Sequence, residues 1–169
     1  ALHTLPPRKG RRKTLWAPYI NNLAFVPPKR PTYGKKSVNI WIQTPNHQTV
    51  PAFHIRNRNP ITLLVAHANA EDLGLVLALW SRLAQELSVD VFAYEYPGYG
   101  HATGEPSEAA MYDAASGAIA MLRDGFGLVP ERDIVLHGKS IGSCPTCYLA
   151  SKHKVRGVIL VSPLASGAR

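Results

Sequence analysis

The residues predict an α/β protein, with a mostly parallel sheet and helices on both faces. Three observations carry that prediction. From residue 61 onward, short apolar runs alternate with segments of helical spacing without a gap, the pattern of βαβ units joined by right-handed crossovers. The apolar runs are almost unbroken, as in strands covered on both faces. Finally, the run Gly138-Lys139-Ser140-Ile141-Gly142 stands between one such strand and a helical segment.

Taken in order, residues 1–36 form a basic, proline-bearing lead-in expected to be largely irregular. Residues 37–169 make the folded domain. Within the lead-in, Leu23-Ala24-Phe25-Val26, stopped by Pro27-Pro28, is expected to lie against the domain. Residues 37–43 alternate Val38, Ile40 and Ile42 with polar or aromatic positions and read as a half-buried strand. Residues 50–56 are a second strand, and Asn57-Arg58-Asn59-Pro60 has turn chemistry. This pair is expected at an antiparallel edge. Residues 61–66 are the first buried parallel strand, followed by the loop His67-Ala68-Asn69-Ala70. Residues 72–87 bring Leu73, Val76, Leu77, Trp80, Leu83, Ala84 and Leu87 to one helical face. Another strand follows at 89–94. A long loop then runs through Pro97-Gly98-Tyr99-Gly100 and Gly104-Glu105-Pro106-Ser107. Ser107 opens a helix over residues 108–126, ended by Gly125, Gly127 and Pro130. Residues 134–137 are a buried strand, the residues after Ser140 a helix to about 153, and residues 154–161 the last strand, closed by Ser162-Pro163.

Length and apolar content suit one domain with a real core. No run approaches the roughly 20 apolar residues of a membrane span, and the basic N-terminus has no apolar stretch behind it to make a secretory signal. The cysteines, Cys144 and Cys147, lie three apart on one helical face. Without further ligands in a usable pattern they read as buried, reduced thiols of a cytosolic protein, not a zinc site. No metal or cofactor is expected. Charge is lopsided: residues 1–70 hold eleven Lys or Arg and no acid, whereas all eleven acids follow, among eight basic residues. The densest cluster is Arg8, Lys9, Arg11, Arg12 and Lys13, with Leu15, Trp16 and Tyr19 behind it. A solvated tail with no partner is the plain reading. An anionic membrane surface, at about 1 kcal/mol per basic residue, comes next, and nucleic acid third.

The candidate chemistry centres on Ser140. A strand, a sharp turn and a helix around G-x-S-x-G make a nucleophile elbow, although the five residues alone fit a chance glycine-rich turn. The elbow glycines Gly138 and Gly142 leave room for strand and helix to approach, and the turn holds the serine in a strained conformation. Helix amides beside Ser140 favour negative charge there. The expected oxyanion donors are the backbone N–H groups of Ile141 and Asn69. His67 is expected to brace its loop by hydrogen bonds and not to act as a base. His137 is expected to point into the sheet packing, and His101 is a candidate substrate contact. A nucleophilic serine needs a base and an orienting acid. No Asp or Glu follows Ser140, and His153 stands about 20 Å away along a helix. The residues supply a nucleophile and an oxyanion hole without a triad.

Several runs resemble one family. His67-Ala68-Asn69-Ala70-Glu71-Asp72-Leu73-Gly74 is similar to the H-G-N-A-x-D-L-G stretch of α/β-hydrolases in the Bem46-like branch. Tyr94-Glu95-Tyr96-Pro97-Gly98-Tyr99-Gly100 resembles their Y-D-Y-x-G-Y-G, and Gly138 to Gly142 their G-Q-S-I-G. Ser162-Pro163-Leu164 with Ser166-Gly167 resembles S-P-L-x-S-G, and Leu23 to Pro28 with Pro31-Thr32-Tyr33 their entry segment. The branch includes depalmitoylases of membrane-anchored acylated proteins, and is related to serine peptidases of the SC-like clan. The resemblance implies a three-layer α/β-hydrolase fold lacking its last two strands, and a metal-free serine hydrolase of esters or thioesters. An acylated protein is among the substrates it implies, and the location is cytoplasmic, peripheral at a membrane. It also implies that the triad Asp and His lie beyond this stretch, which alone is expected to be inactive. Ala68 replaces a glycine and Lys139 a glutamine of the family pattern, and the acylated N-terminal cysteine cluster is absent. The alternative is a non-catalytic, hydrolase-like module docking a membrane or protein partner through its basic N-terminus.

Overall fold

A computed structural model of the chain describes residues 24–165. The basic cluster at residues 8–13 and the pair Ser166-Gly167 lie outside the described residues. One six-stranded sheet forms the middle layer, in the order β1-β2-β4-β3-β5-β6. β1 (Ile40–Gln43) and β2 (Thr49–Ile55) pair antiparallel, and β2 runs antiparallel to β4 (Asp90–Tyr94). β3 (Thr62–Ala66) lies parallel between β4 and β5 (Ile134–Lys139), and β6 (Gly157–Val161) extends the parallel part beyond β5. The sheet is therefore mostly parallel with an antiparallel margin.

The unbroken apolar runs are explained by cover on both faces. Leu63 and Val65 of β3, with Val91 and Ala93 of β4, pack on α1 (Leu73–Glu86) through Leu73, Val76, Trp80 and Ala84. Leu64 and Ala66, with Phe92 and Tyr94, turn the other way. There they meet α2 (Glu108–Ala120) and α4 (Ser143–Lys152) through Met111, Ala114, Ala118 and Leu149. Alternate side chains of each strand thus enter two separate cores, each removing apolar surface from water. The Ile61 run begins its strand at Thr62, and Asp90 anchors the preceding turn by accepting the N–H groups of Asn57 and Asn59.

Several boundaries differ from expectation. Residues 35–37 form a 3-10 turn, so the first strand starts at Ile40. The helix expected over 108–126 stays α-helical to Ala120 and then widens into a π-type turn, Met121–Gly125. A short helix α3 (Pro130–Asp133) precedes β5. The last strand begins at Gly157 because the Arg156 N–H is drawn to the carbonyls of Pro130 and Ile134. The cysteines are not buried as expected: Cys144 is half-buried and Cys147 exposed, since the inner face of α4 is filled by Pro145, Thr146 and Leu149. No described helix is long and apolar enough to cross a membrane.

The described lead-in is held by side chains of the domain. Phe25 enters the core. Thr32 donates from its backbone N–H to Asp72 Oδ2 at 2.7 Å, and its hydroxyl bonds the same carboxylate. Asp72 also caps α1, accepting the N–H groups of Gly74 and Leu75.

Candidate active site

Parallel strands end together, and their carboxyl ends set the site. Ala66 at the end of β3 stands opposite Gly138 of β5, and Gly138 opposite Leu160 of β6. The loop from His67, the elbow at Ser140 and the turn at Ser162 therefore leave the same margin of the sheet.

The elbow is built by close approach. Ser140 has φ of +53°, a left-handed conformation that costs a non-glycine residue of order 1–3 kcal/mol. It opens a single 3-10 turn, Ser140–Gly142, before α4 starts at Ser143. A Cβ on Gly142 would overlap the carbonyl groups of Ala66 and His67, and one on Gly138 would press on the Gly142 carbonyl and Thr146 Oγ1. Gly142 thus fixes how near the elbow comes to the end of β3. Ser143 locks the turn from below. Its hydroxyl donates to the Ser140 carbonyl at 2.6 Å and accepts the Leu164 N–H at 3.1 Å. Ser140 is partly exposed, and its hydroxyl has no hydrogen-bond partner among the described residues.

The neighbouring loop is braced by a buried pair. His67 donates from Nδ1 to the Ala68 carbonyl at 2.9 Å and bonds Glu95 Oε1 through Nε2 at 2.8 Å. Both side chains are fully enclosed. Burial opposes a charge on the imidazole, but the Glu95 hydrogen bond and charge outweigh it and hold His67 above its ordinary range. Glu95 Oε2 accepts in addition the Tyr33 hydroxyl at 2.9 Å and the Leu73 N–H at 3.2 Å. Both His67 ring nitrogens are thereby engaged in hydrogen bonds, to the Ala68 carbonyl and to Glu95.

Asn69 divides its labour. Its side-chain oxygen accepts the Val26 N–H and the Tyr99 hydroxyl, and its amide donates to the Ala24 carbonyl. Its backbone N–H and that of Ile141 have no acceptor among the described residues. Glu71 caps the Ala68 N–H at 2.9 Å and receives the Lys139 ammonium at 2.5 Å. Burial works against its charge, yet Lys139 and the Ala68 N–H hold the carboxyl below its ordinary range.

The other histidines stand aside. His101 bonds the Tyr33 carbonyl through Nε2 at 2.9 Å, with its ring edge-on to Tyr33, so its role here is to hold the entry segment. His137 packs edge-on against Trp80 at 4.8 Å. His153 follows the last turn of α4, at the opposite end of that helix from Ser140. Among the described residues no three His, Cys, Asp or Glu side chains gather as a metal site would require. A cleft of about 270 Å³ opens beside Lys139 and Glu71, walled by Leu75, Leu79, Trp80 and Val161. A larger hollow of about 510 Å³ lies at the far end of α4, near His153 and Lys154, away from the elbow.

Residues 61–168 match the family model for the alpha/beta hydrolase fold. The chain belongs to the α/β-hydrolase fold family. This chain is 44% identical over 108 residues to alpha/beta hydrolase domain-containing protein 17C of Homo sapiens. It is equally similar to alpha/beta hydrolase domain-containing protein aho-3 of Caenorhabditis elegans. Each alignment covers 64% of this chain and 32% of the relative, so the chain spans about a third of the length of the curated relatives it matches. An alpha-beta hydrolase from Vibrio vulnificus superposes with a TM-score of 0.71 at 20% identity, over 97% of this chain and 64% of that one. An esterase from Pyrococcus furiosus gives 0.65 at 18%, over 82% and 56%. At those identities the likeness concerns the fold. Sequence reading gave no role to Glu95, Glu71, Tyr33 or Ser143 of this chain, and the acid inside Tyr94-Glu95-Tyr96 is the signal for the first.

Proposed function

We propose that the protein is a serine hydrolase of esters or thioesters, with Ser140 as nucleophile. The observation that carries this is Ser140 held at a positive φ on a turn that two glycines close against neighbouring backbone. Such strain is retained where the surrounding structure over-determines it, and it clusters at functional sites. In the proposed reaction a general base takes the hydroxyl proton as Ser140 Oγ attacks the acyl carbonyl, and later hands it to the leaving group. The tetrahedral oxyanion is met by the N–H groups of Ile141 and Asn69, and the alkoxide or thiolate leaves. Water then hydrolyses the acyl-serine. An S-acylated protein, as in depalmitoylation, is the substrate class the motif resemblance favours.

Within these 169 residues no acid follows Ser140, His67 is committed to Glu95, and His153 lies at the wrong end of α4. This stretch by itself therefore turns over no ester through a serine–histidine–acid relay. Two measurements test the reading. In the full-length gene product, S140A should lower turnover of a p-nitrophenyl ester or acyl thioester by at least about 10⁴-fold. Turnover unchanged by S140A would exclude Ser140 as nucleophile. In the 169-residue chain, turnover should not exceed that of its own S140A variant.

The charge distribution favours a second reading, a module that docks an anionic membrane through Arg8, Lys9, Arg11, Arg12 and Lys13. It is tested by sedimentation with anionic and neutral vesicles, with and without residues 1–20. Binding confined to anionic vesicles and lost with those residues supports it. Equal binding in all cases counts against it.

A further inference from the structure

Glu71 touches two backbone segments at once. Its Oε2 accepts the Ala68 N–H at 2.9 Å, and its Oε1 receives the Lys139 ammonium at 2.5 Å. Ala68 immediately precedes Asn69, and Lys139 immediately precedes Ser140. The β3–β5 ladder has its last pair at Ala66 and Gly138. Beyond that rung, among the described residues, the Glu71–Lys139 bond is the one side-chain hydrogen bond joining the two segments. One carboxylate therefore spans the loop that carries one proposed oxyanion donor and the elbow that carries the nucleophile and the other.

We propose that Glu71 and Lys139 are positioning residues: an ionic clamp that sets the spacing of the Asn69 and Ile141 amides around the oxyanion of acyl transfer. The role rests on the reading of Ser140 given above. The Lys139 side chain is 48% exposed and that of Glu71 23%, so the pair is partly screened by water and adds little to fold stability. It instead fixes geometry. Donors must sit within a few tenths of an ångström of the developing charge, and a small displacement costs far more in rate than in folding. The two contacts also have separable parts. Glutamine at 71 keeps an acceptor for the Ala68 N–H and loses the charge, whereas methionine at 139 keeps the stem and loses the ammonium.

The test uses K139M, E71Q and the double variant in the full-length gene product, with an acyl thioester as substrate. Each single variant should lower kcat about tenfold with KM held within about twofold, because the donors act on the transition state and not on ground-state binding. The double variant should cost no more than either single one, since both remove the same link. Thermal midpoints should stay within about 2 °C. Retention of kcat in either single variant, or costs that add in the double, would overturn the clamp. A second arm uses the 169-residue chain and does not need turnover. K139M should speed hydrogen exchange at the Ala68 amide, a group Lys139 does not touch, by about tenfold. Unchanged exchange there would also overturn the proposal. Turnover that survives S140A would overturn the hydrolase reading alone, and the clamp would then stand or fall on the Ala68 exchange.

Discussion

Ser140 sits where its backbone pays a conformational cost, and the glycines around it show what enforces that cost. Ser140→Gly removes the left-handed penalty along with the hydroxyl. It is expected to raise the unfolding free energy by about 1 kcal/mol, read by urea denaturation, and no gain would mean that the turn is unstrained. Gly142→Ala acts in the opposite direction. Its Cβ meets backbone carbonyls at Ala66 and His67 that have no flexible end to yield, so a loss of at least about 2 kcal/mol is expected. The buried pair gives a pH signature. His67 is held above its ordinary value by Glu95 despite burial, so its contribution to stability is fully present below about pH 6.5. That contribution is lost as pH rises through the folded-state value. Glu95→Gln leaves the imidazole without its counter-charge. The variant should be less stable by about 3 kcal/mol near pH 6, and the decline with rising pH should disappear from its denaturation series.

At the scale of elements, α1 shows how local signals and tertiary contacts combine. Asp72 precedes an apolar face of helical spacing and caps the helix, which its position in the sequence announces. The same carboxylate also holds Thr32, forty residues earlier, and that link carries no local signal. Asp72→Ala should therefore cost more than an ordinary cap, about 2 kcal/mol or above, and should raise hydrogen exchange at Thr32 in step with the first turn of α1. Similar reasoning separates what was legible from what was not. The strands were readable because two-sided burial makes them continuously apolar, and β3, β4 and β5 fall within a residue or two of their expected positions. The antiparallel margin was readable from the alternation in β1. Element ends were less so. The start of β6 is set by the Arg156 N–H bonding carbonyls before and within β5, and the Met121–Gly125 widening has no periodic signal. The site divides along the same line. Ser140, Gly138 and Gly142 stand in one contiguous run. Glu95, Tyr33 and the Glu71–Lys139 bond join segments separated by 28 to 68 positions, and only folding brings them together.

Seen whole, the molecule covers its sheet unevenly. The β2–β4–β3–β5 centre is sealed by α1 on one face and by α2 and α4 on the other. Along β6, by contrast, Val158, Ile159, Leu160 and Val161 are each 38–45% exposed. An apolar edge strand with open backbone groups invites pairing with another chain. Ile159→Lys is expected to reduce light scattering and dimer formation on heating of the 169-residue chain without shifting its circular dichroism, and unchanged association would show that the edge is not the adhesive surface. The same open sheet leaves its strand ends free to form one margin, where the elbow, the His67 loop and the Ser162 turn meet. Covalent labelling at that margin tests the central claim most directly. The full-length gene product is treated with a fluorophosphonate, digested and mapped by mass spectrometry. The adduct is expected on the peptide carrying Ser140 and absent from S140A, and an adduct placed elsewhere, or none at all, would contradict Ser140 as the nucleophile.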